Sequence, residues 1–235
     1  MKRLLMFGLL ISSIFSSTVL SIDTGGEDTN EWDSVSFTKA RTILQLYQLF
    51  KDIHETFEAH QIDYWMDGGT LLGALRHEGI IPWDNDVDVC ILKSQEQKFL
   101  RLEPLLKKLG YTIQTMPFGY QIKARHGYLD IFLMDIKKGR YIYADKHTST
   151  FFATRDGWPI YYTQDELFPL KLYTFGPLKV WGPQNPLPYV DNYFKDWRTK
   201  AKFLINHTHY DSKVIHLKPK DLIPAKPFGP LEDRV

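Results

Sequence analysis

Acidic and apolar residues alternate in one short stretch of this chain, residues 81–89, which reads IPWDNDVDV. In an extended strand, side chains at positions i and i+2 lie on the same face. Asp86 and Asp88 therefore point the same way, with Cα atoms roughly 7 Å apart, while the intervening valines point into a core. Asp84 joins them if the strand begins that early. The pattern predicts a strand over residues 86–92 with one buried face and one acidic face.

Carboxylates crowded on one face repel one another unless a cation lies between them. Hard oxygen ligands select Mg²⁺, Mn²⁺ or Ca²⁺ over softer metals. A calcium-binding EF-hand loop does not fit, because Val89 stands where that loop needs glycine and Gln95 where it needs glutamate. The alternative is a solvated acidic turn, although the apolar run after Asp88 leaves little room for exposed surface. The residues predict a metal site that contains Asp86 and Asp88 and to which Asp84 can contribute.

A glycine pair follows a short strand predicted over residues 63–66. Gly68 and Gly69 allow backbone N–H groups to approach a ligand closely, and Thr70 adds a hydroxyl at the start of a predicted short helix. The N-terminus of a helix attracts anions. These three residues are therefore candidates to bind a substrate phosphate. The alternative is an ordinary tight turn.

A further carboxylate, Asp130, lies within an apolar predicted strand. A buried aspartate without a partner is costly, so Asp130 should meet a cation or a hydrogen-bond donor. A structural partner such as Lys123 or Arg125 is the alternative explanation.

Three basic residues are candidates to contact a substrate phosphate. Arg76 and His77 end the short helix after the glycine pair, and Lys123 lies on a predicted strand near Asp130. Each of them could equally be a solvated surface residue.

Hydrophobic periodicity predicts how these segments are arranged. Residues 37–60 show helical spacing, and a second helix begins at Ser94, where Gln97 completes a capping-box signature, with a kink at Pro104. The predicted later strands are 111–116, 120–124, 129–136 and 141–144, followed by a hairpin of 172–175 with 178–181. A final helix opens at Pro186 and turns residues 187, 190, 194 and 197 inward. This order is typical of an α+β or α/β fold with a mixed sheet.

The N-terminal segment is typical of a secretory signal. Lys2 and Arg3 precede an apolar core, and Val19 and Ser21 are small enough for a signal-peptidase site. The alternative is an uncleaved anchor, in which case the chain would be held at a membrane, but a spanning helix needs roughly 20 apolar residues and several serines interrupt this stretch. The glycosylation triplet at Asn206 is consistent with a protein in the secretory lumen or outside the cell.

Composition excludes several classes of protein. A hydrophobic content of 43% can build a packed core, and a net charge of +1 argues against nucleic-acid binding by bulk attraction. The single cysteine excludes a disulfide framework and a cysteine-based zinc site. We divide the chain into a signal segment at 1–21, a linker at 22–36, a domain at 37–212 and a Pro- and Lys-rich tail at 213–235.

Two adjacent motifs carry a resemblance to a known family. Residues 64–77 read YWMDGGTLLGALRH and residues 80–88 read IIPWDNDVD, which together resemble the signature of the LicD family. Blocks similar to later family motifs occur at residues 118–121, 129–132, 166–170 and 193–198. The resemblance covers about residues 40–200.

The resemblance implies a nucleotidyltransferase fold, a mixed sheet with helices packed on it. In that fold a glycine pair precedes a strand with two alternating acids, and a third acid lies on a neighbouring strand. Gly68 and Gly69, Asp86 and Asp88, and Asp130 occupy these places here. The family also implies Mg²⁺- or Mn²⁺-dependent transfer of a phospho-alcohol unit, such as phosphocholine or ribitol phosphate, from a CDP-linked donor to a glycan or glycoprotein hydroxyl.

In this interpretation the acids are catalytic and hold the metal, and Asp130 is also the candidate base for the acceptor hydroxyl. Asn85 stands where the bacterial motif often has another acid, and the chain lacks the set of cysteines that the zinc-binding insert of the fukutin-related branch would need. Donor and acceptor identities therefore do not transfer from the family. A secreted binding module without turnover and a metal-dependent phosphohydrolase are the alternative functions.

Overall fold

The computed structural model of the chain describes residue 32 and residues 35–151, 154–204, 212–226 and 230–235. The predicted signal segment at 1–21, most of the predicted linker and the glycosylation triplet at Asn206 lie outside these residues. Among the described residues, none of the helices combines the length and the apolarity needed to cross a bilayer.

The helices are short apart from the first one. Their bounds are α1 Ala40–Ala59, α2 Gly68–Arg76, α3 Glu96–Leu100, α4 Glu103–Lys108, α5 Lys146–Phe151, α6 Gln164–Leu167 and α7 Leu187–Tyr193. Short 3₁₀ turns occur at Lys93–Gln95 and Pro219–Leu222.

The strands occur between these helices along most of the chain. Their bounds are β1 Tyr64–Met66, β2 Asp86–Leu92, β3 Thr112–Met116, β4 Gly119–Ala124, β5 Gly127–Lys137, β6 Arg140–Tyr143, β7 Thr154–Arg155, β8 Trp158–Pro159, β9 Tyr161–Thr163, β10 Lys171–Phe175, β11 Leu178–Gly182, β12 Lys200–Leu204 and β13 Ser212–His216.

One mixed sheet organises the fold, with the strand order β1-β2-β5-β4-β3. β2 and β5 are parallel, whereas the β1–β2, β5–β4 and β4–β3 pairs are antiparallel. The distal end of the long strand β5 also pairs with β6, which in turn pairs with β9. The predicted α+β class with a mixed sheet flanked by helices is confirmed.

The helix α1 provides much of the core beside this sheet. The stripe predicted from the helical spacing is buried, and it consists of Ile43, Tyr47, Phe50, Ile53 and Phe57. The helix packs against β2, β5 and β11. The short helix α2 packs against β2 and β10. This packing places the start of α2 directly beside the acidic strand.

The helix predicted from Ser94 differs from the observed structure. Ser94 lies inside a 3₁₀ turn, and no side chain caps α3, so the predicted capping box is wrong. Pro104 does not kink one helix but occupies the first turn of a separate one, α4. A proline fits that position because its missing N–H has no partner there anyway.

The final predicted helix is shorter than expected. α7 ends at Tyr193, and Phe194 leaves the helical conformation, so Phe194 and Trp197 pack from the chain that follows. Leu187 is 42% exposed rather than inward-facing, whereas Val190 is fully buried as predicted.

The C-terminal residues are attached to the domain at several points. The predicted boundary at 212 falls inside strand β13, which pairs with β12. Further on, the Ala225 carbonyl accepts a hydrogen bond from the Tyr47 hydroxyl at 2.7 Å. The Gln48 side chain makes two hydrogen bonds with the backbone of Glu232, at 2.9 and 2.7 Å.

Candidate functional site

Three aspartates converge where β2 and β5 run side by side. Asp86 and Asp88 alternate along β2, and Asp130 lies directly opposite Asp88 in the parallel register. One carboxylate oxygen from each of the three residues lies within 4.8 Å of the others. The alternation predicted from the sequence therefore brings Asp86 and Asp88 to one face, and the sheet adds Asp130.

All three carboxyl groups are buried, with at most 2% of any of these residues exposed. Burial raises the pKa of Asp86 well above its ordinary value, and the neighbouring charges of Asp84, Asp88 and Asp130 raise it further. The pKa of Asp88 is raised in the same way, first by burial and then by Asp130, Asp84 and Asp67. Without a counter-charge, these groups can be ionised together only at a large cost.

Two members of the acid cluster (Asp86, Asp88 and Asp130) lack the donors that buried carboxylates normally have, namely Asp86 and Asp88. Among the described residues, none donates a hydrogen bond of normal geometry to any of the four carboxylate oxygens of Asp86 and Asp88. The Gly69 backbone amide lies near the Asp88 carboxylate and acts to lower its pKa, against the larger effect of burial. Buried carboxylate oxygens without donors need an explanation, and a cation-binding role is one that accounts for several of them together. The donor set, hard oxygens at short mutual distance, fits Mg²⁺ or Mn²⁺.

Asp84 lies beside the acid cluster but is not one of its three members. Its carboxylate accepts a hydrogen bond from the Asn85 amide at 3.1 Å. Burial raises the pKa of Asp84 to about 6, although contact with Asp86 and the charge of Arg76 lower it. Asp84 is therefore placed to share a proton with Asp86 or to contact a cation held by the cluster.

The glycine pair packs against these carboxylates. Gly68 has φ +48°, and a Cβ built on it would lie 3.0 Å from the Asp88 Oδ2 atom. A Cβ on Gly69 would lie 2.9 Å from the Asp84 Oδ2 atom. Side chains at either position would collide with the acids, so glycine is needed for the first turn of α2 to approach them.

Thr70 is buried within the interface between α2 and β2. Its hydroxyl accepts a hydrogen bond from the Asp88 backbone amide at 2.7 Å. The structure thus gives Thr70 a part in holding Asp88 in place, which the sequence analysis did not anticipate when it proposed a phosphate contact.

Arg76 and His77 lie at the other end of α2. The Arg76 guanidinium donates to the carbonyls of Trp197 and Lys200 at 3.0 and 3.2 Å, and burial lowers its pKa to about 10. Its positive charge still acts on Asp84. Arg76 therefore connects the C-terminal chain to the edge of the acid cluster.

His77 is almost completely buried, with 1% exposed. Its Nδ1 atom accepts from Arg76 Nε at 3.3 Å, and its Nε2 atom donates to the Asp221 carbonyl at 3.1 Å. Burial lowers the pKa of His77 to about 3, so the ring is neutral. Both nitrogens are already engaged, so the structure gives His77 a packing role and does not place it at an open surface.

Gln121 is a site residue to which the sequence analysis gave no role. Its Nε2 atom donates to Asp130 Oδ1 at 2.8 Å, and the two residues lie opposite each other in the β4–β5 pair. It provides a hydrogen bond to Asp130 for which Lys123 and Arg125 were the alternative candidates. Lys123 lies two residues further along β4, opposite Tyr128, with its side chain exposed. Gln121 and Lys123 are two residues apart on β4, so their side chains lie on the same face of the strand. This alternation is the local sequence signal that points to Gln121 as a neighbour of Asp130.

The segment that contains these site residues is similar in sequence to known proteins. Residues 61–185, which contain the acid cluster and the glycine pair, match the family profile described as LicD/FKTN/FKRP, nucleotidyltransferase domain. The chain belongs to the LicD family. The expected nucleotidyltransferase fold is confirmed, and membership of the LicD family suggests a transferase.

Relatives within the LicD family differ in how much of the chain they match. An uncharacterized protein of Rickettsia prowazekii is 36% identical over 225 residues, which cover 88% of this chain and 81% of that protein. The lipopolysaccharide cholinephosphotransferase LicD of Haemophilus influenzae is 47% identical over 47 residues, covering 20% of this chain and 18% of that protein. The human ribitol 5-phosphate transferase FKRP is 62% identical over 34 residues, covering 14% and 7%.

Proposed function

We propose that this chain is a Mg²⁺- or Mn²⁺-dependent transferase that moves a phospho-alcohol unit from a CDP-linked donor to a glycan hydroxyl. The observation that carries the proposal is the convergence of Asp86, Asp88 and Asp130 beside the Gly68–Gly69 turn. It places buried carboxylates that call for a cation beside a glycine turn at the start of α2. Relatives named as a cholinephosphotransferase and a ribitol 5-phosphate transferase support the class of transferred group.

The acid cluster would hold the metal. Among the described residues, none donates a hydrogen bond of normal geometry to the oxygens of Asp86 and Asp88, and Gln121 donates one to Asp130. A bound divalent cation would neutralise the charge of the donor diphosphate and of the departing CMP. Asp84 lies close enough to the cluster for its charge to raise the pKa of Asp86.

The remaining residues would bind the donor and move one proton. The electropositive start of α2, at the Gly68–Gly69 turn, would attract donor phosphate oxygens. The acceptor oxygen forms a bond to the donor's distal phosphorus, and the bond from that phosphorus to the bridging oxygen breaks to release CMP. Asp130 takes the proton lost by the acceptor hydroxyl.

The proposal is tested by CMP release from CDP-choline and CDP-ribitol in the presence of Mg²⁺, with and without a glycan acceptor. We expect one donor to give acceptor-dependent CMP and a phosphorylated glycan. Asp88→Asn should lower the rate at least about 100-fold. Asp135→Asn is the matched control, because Asp135 lies on β5 with its side chain exposed, and it should keep the wild-type rate.

Two results would contradict the proposal. Full activity of Asp88→Asn would remove the acid cluster from the reaction. Release of CMP together with free phospho-alcohol, unaffected by any acceptor, would indicate a phosphohydrolase instead.

A further inference from the structure

Asp67 is a buried carboxyl group that the mechanism above does not use. It lies between β1 and α2, immediately before the glycine pair, and only 1% of it is exposed. The Tyr143 hydroxyl donates to its Oδ2 atom at 2.5 Å, and the Tyr162 hydroxyl donates to its Oδ1 atom at 3.4 Å. A hydroxyl-to-carboxylate distance of 2.5 Å is at the short end for charge-assisted hydrogen bonds.

The tyrosines around Asp67 come from the later part of the chain. Tyr143 lies on β6, Tyr162 on β9 and Tyr189 on α7. The hydroxyls of Tyr143 and Tyr189 lie 2.9 Å apart, and the rings of Tyr162 and Tyr189 stack with centroids 4.5 Å apart at 10°. Three separate elements are thus tied to one carboxyl group by what we term the tyrosine cage (Tyr143, Tyr162 and Tyr189).

The backbone of Asp67 connects this cage to the acid cluster. Its amide donates to the Asp88 carbonyl at 3.1 Å, which extends the β1–β2 pairing by one residue. Its carbonyl accepts from the Leu71 amide at 3.0 Å, the first hydrogen bond of α2. Gly68 follows directly and approaches the Asp88 carboxylate. A rotation of Asp67 would therefore move both the glycine turn and Asp88.

We propose that Asp67, held by the tyrosine cage, is a positioning residue that fixes the Gly68–Gly69 turn against Asp88. The inference rests on the proposed function, because it assigns Asp67 to the same metal- and phosphate-binding site. Asp67 contacts neither metal nor substrate in this account. Burying a carboxyl group is costly, and here its hydrogen bonds offset that cost while fixing the geometry of the turn.

The test compares two Tyr→Phe variants of the cage, which keep the ring and remove one hydroxyl each. Tyr143→Phe removes the 2.5 Å hydrogen bond, and Tyr162→Phe removes the 3.4 Å one. The readouts are the Mn²⁺ dissociation constant without nucleotide and the donor kcat/KM, both measured well below the melting temperature of each variant. Asp67→Ala completes the set.

We expect Asp67→Ala and Tyr143→Phe to weaken Mn²⁺ binding and kcat/KM by about 10-fold or more, and Tyr162→Phe to change them less than about 3-fold. A lower melting temperature with unchanged Mn²⁺ affinity and kcat/KM would show a merely structural role and overturn the inference. If Asp67→Ala fails to fold, Tyr143→Phe decides alone.

Failure of the proposed function gives a different pattern. In that case the wild-type protein binds Mn²⁺ but turns over no CDP-linked donor. The inference would then still be supported by weaker Mn²⁺ binding in Tyr143→Phe, or overturned by its absence. If only the inference about Asp67 is wrong, the wild-type protein still turns over the donor, and every variant of the tyrosine cage is as active as the wild type.

Discussion

Asp88 and Asp130 are directly opposite each other in the parallel pair that β2 and β5 form in the mixed sheet. Adjacent strands lie about 4.8 Å apart, so this register holds the two carboxylates close together within the core. Asp86, two residues earlier on β2, completes the cluster. The arrangement is unfavourable for a protein with nothing bound, and that cost is the basis of the first two predictions.

Asp86→Asn should make the metal-free protein more stable at neutral pH, by on the order of 1 kcal/mol, because it removes one charge from a buried group of like charges. The same variant should lose the stabilisation that Mg²⁺ gives to the wild-type protein. Melting temperatures with and without Mg²⁺ measure both effects. The exposed Asp135→Asn is the control, and equal destabilisation of both variants would contradict the prediction.

The stability of the metal-free protein should fall as the pH rises from about 4 through 6. The pKa of Asp84 is raised to about 6, and those of Asp86 and Asp88 are raised well above their ordinary value, so the folded state binds protons that the unfolded chain releases. Each such group costs up to about 1.4 kcal/mol per pH unit within its window. Stabilisation by Mg²⁺ should grow over the same range, since the cation replaces those protons.

Urea unfolding at a series of pH values, with Mg²⁺ or with a chelator, measures this dependence. A stabilisation by Mg²⁺ that stays constant from pH 4 to about 7 would show that the cation does not compete with protons at these carboxylates.

Gly68→Ala should weaken Mn²⁺ binding by about 10-fold or more, because the added Cβ would lie 3.0 Å from Asp88 Oδ2. It should also cost about 1 kcal/mol of stability, since φ is +48° there. Gly139→Ala is a matched control, with φ +72° and no heavy atom within 4 Å of the added Cβ. Gly139→Ala should show the cost of the positive φ alone, and equal Mn²⁺ affinity in the two variants would contradict the proposed packing.

Gln121→Ala should lower turnover about 10-fold, because Asp130 loses the donor that orients it. Gln114 faces Gln121 across the β3–β4 pair and is exposed, so Gln114→Ala is the corresponding control. Initial rates are measured at saturating donor, and far-ultraviolet circular dichroism checks that each variant is folded. Together they distinguish a misoriented Asp130 carboxylate from an unfolded protein. Equal rates for the two variants would show that the hydrogen bond from Gln121 does not orient Asp130 for turnover.

Local patterns predict those parts of the site that lie on one strand or one turn. The alternation of Asp86 and Asp88 follows from the two-residue repeat of a strand, and the glycine pair indicates a turn with close backbone approach. The pairing of Asp88 with Asp130 depends on which strands become neighbours. The position of Asp130 in an apolar strand signals burial but cannot supply that register.

Other features depend on tertiary contacts that leave no mark in nearby sequence. The Thr70 hydroxyl binds the Asp88 amide, and the ring nitrogens of His77 are taken by Arg76 and the distant Asp221. The tyrosines around Asp67 lie far along the chain and look like ordinary core aromatics. Their function becomes visible only once β6, β9 and α7 are placed around β1.

The central claim, that the acid cluster is a divalent-cation site, is tested most directly by anomalous diffraction from crystals of the protein grown with Mn²⁺. The account predicts an anomalous peak within about 2.5 Å of carboxylate oxygens from Asp86, Asp88 and Asp130, and its loss in Asp88→Asn crystals. An anomalous map with no peak at these residues, or with its peak elsewhere on the protein, would contradict it.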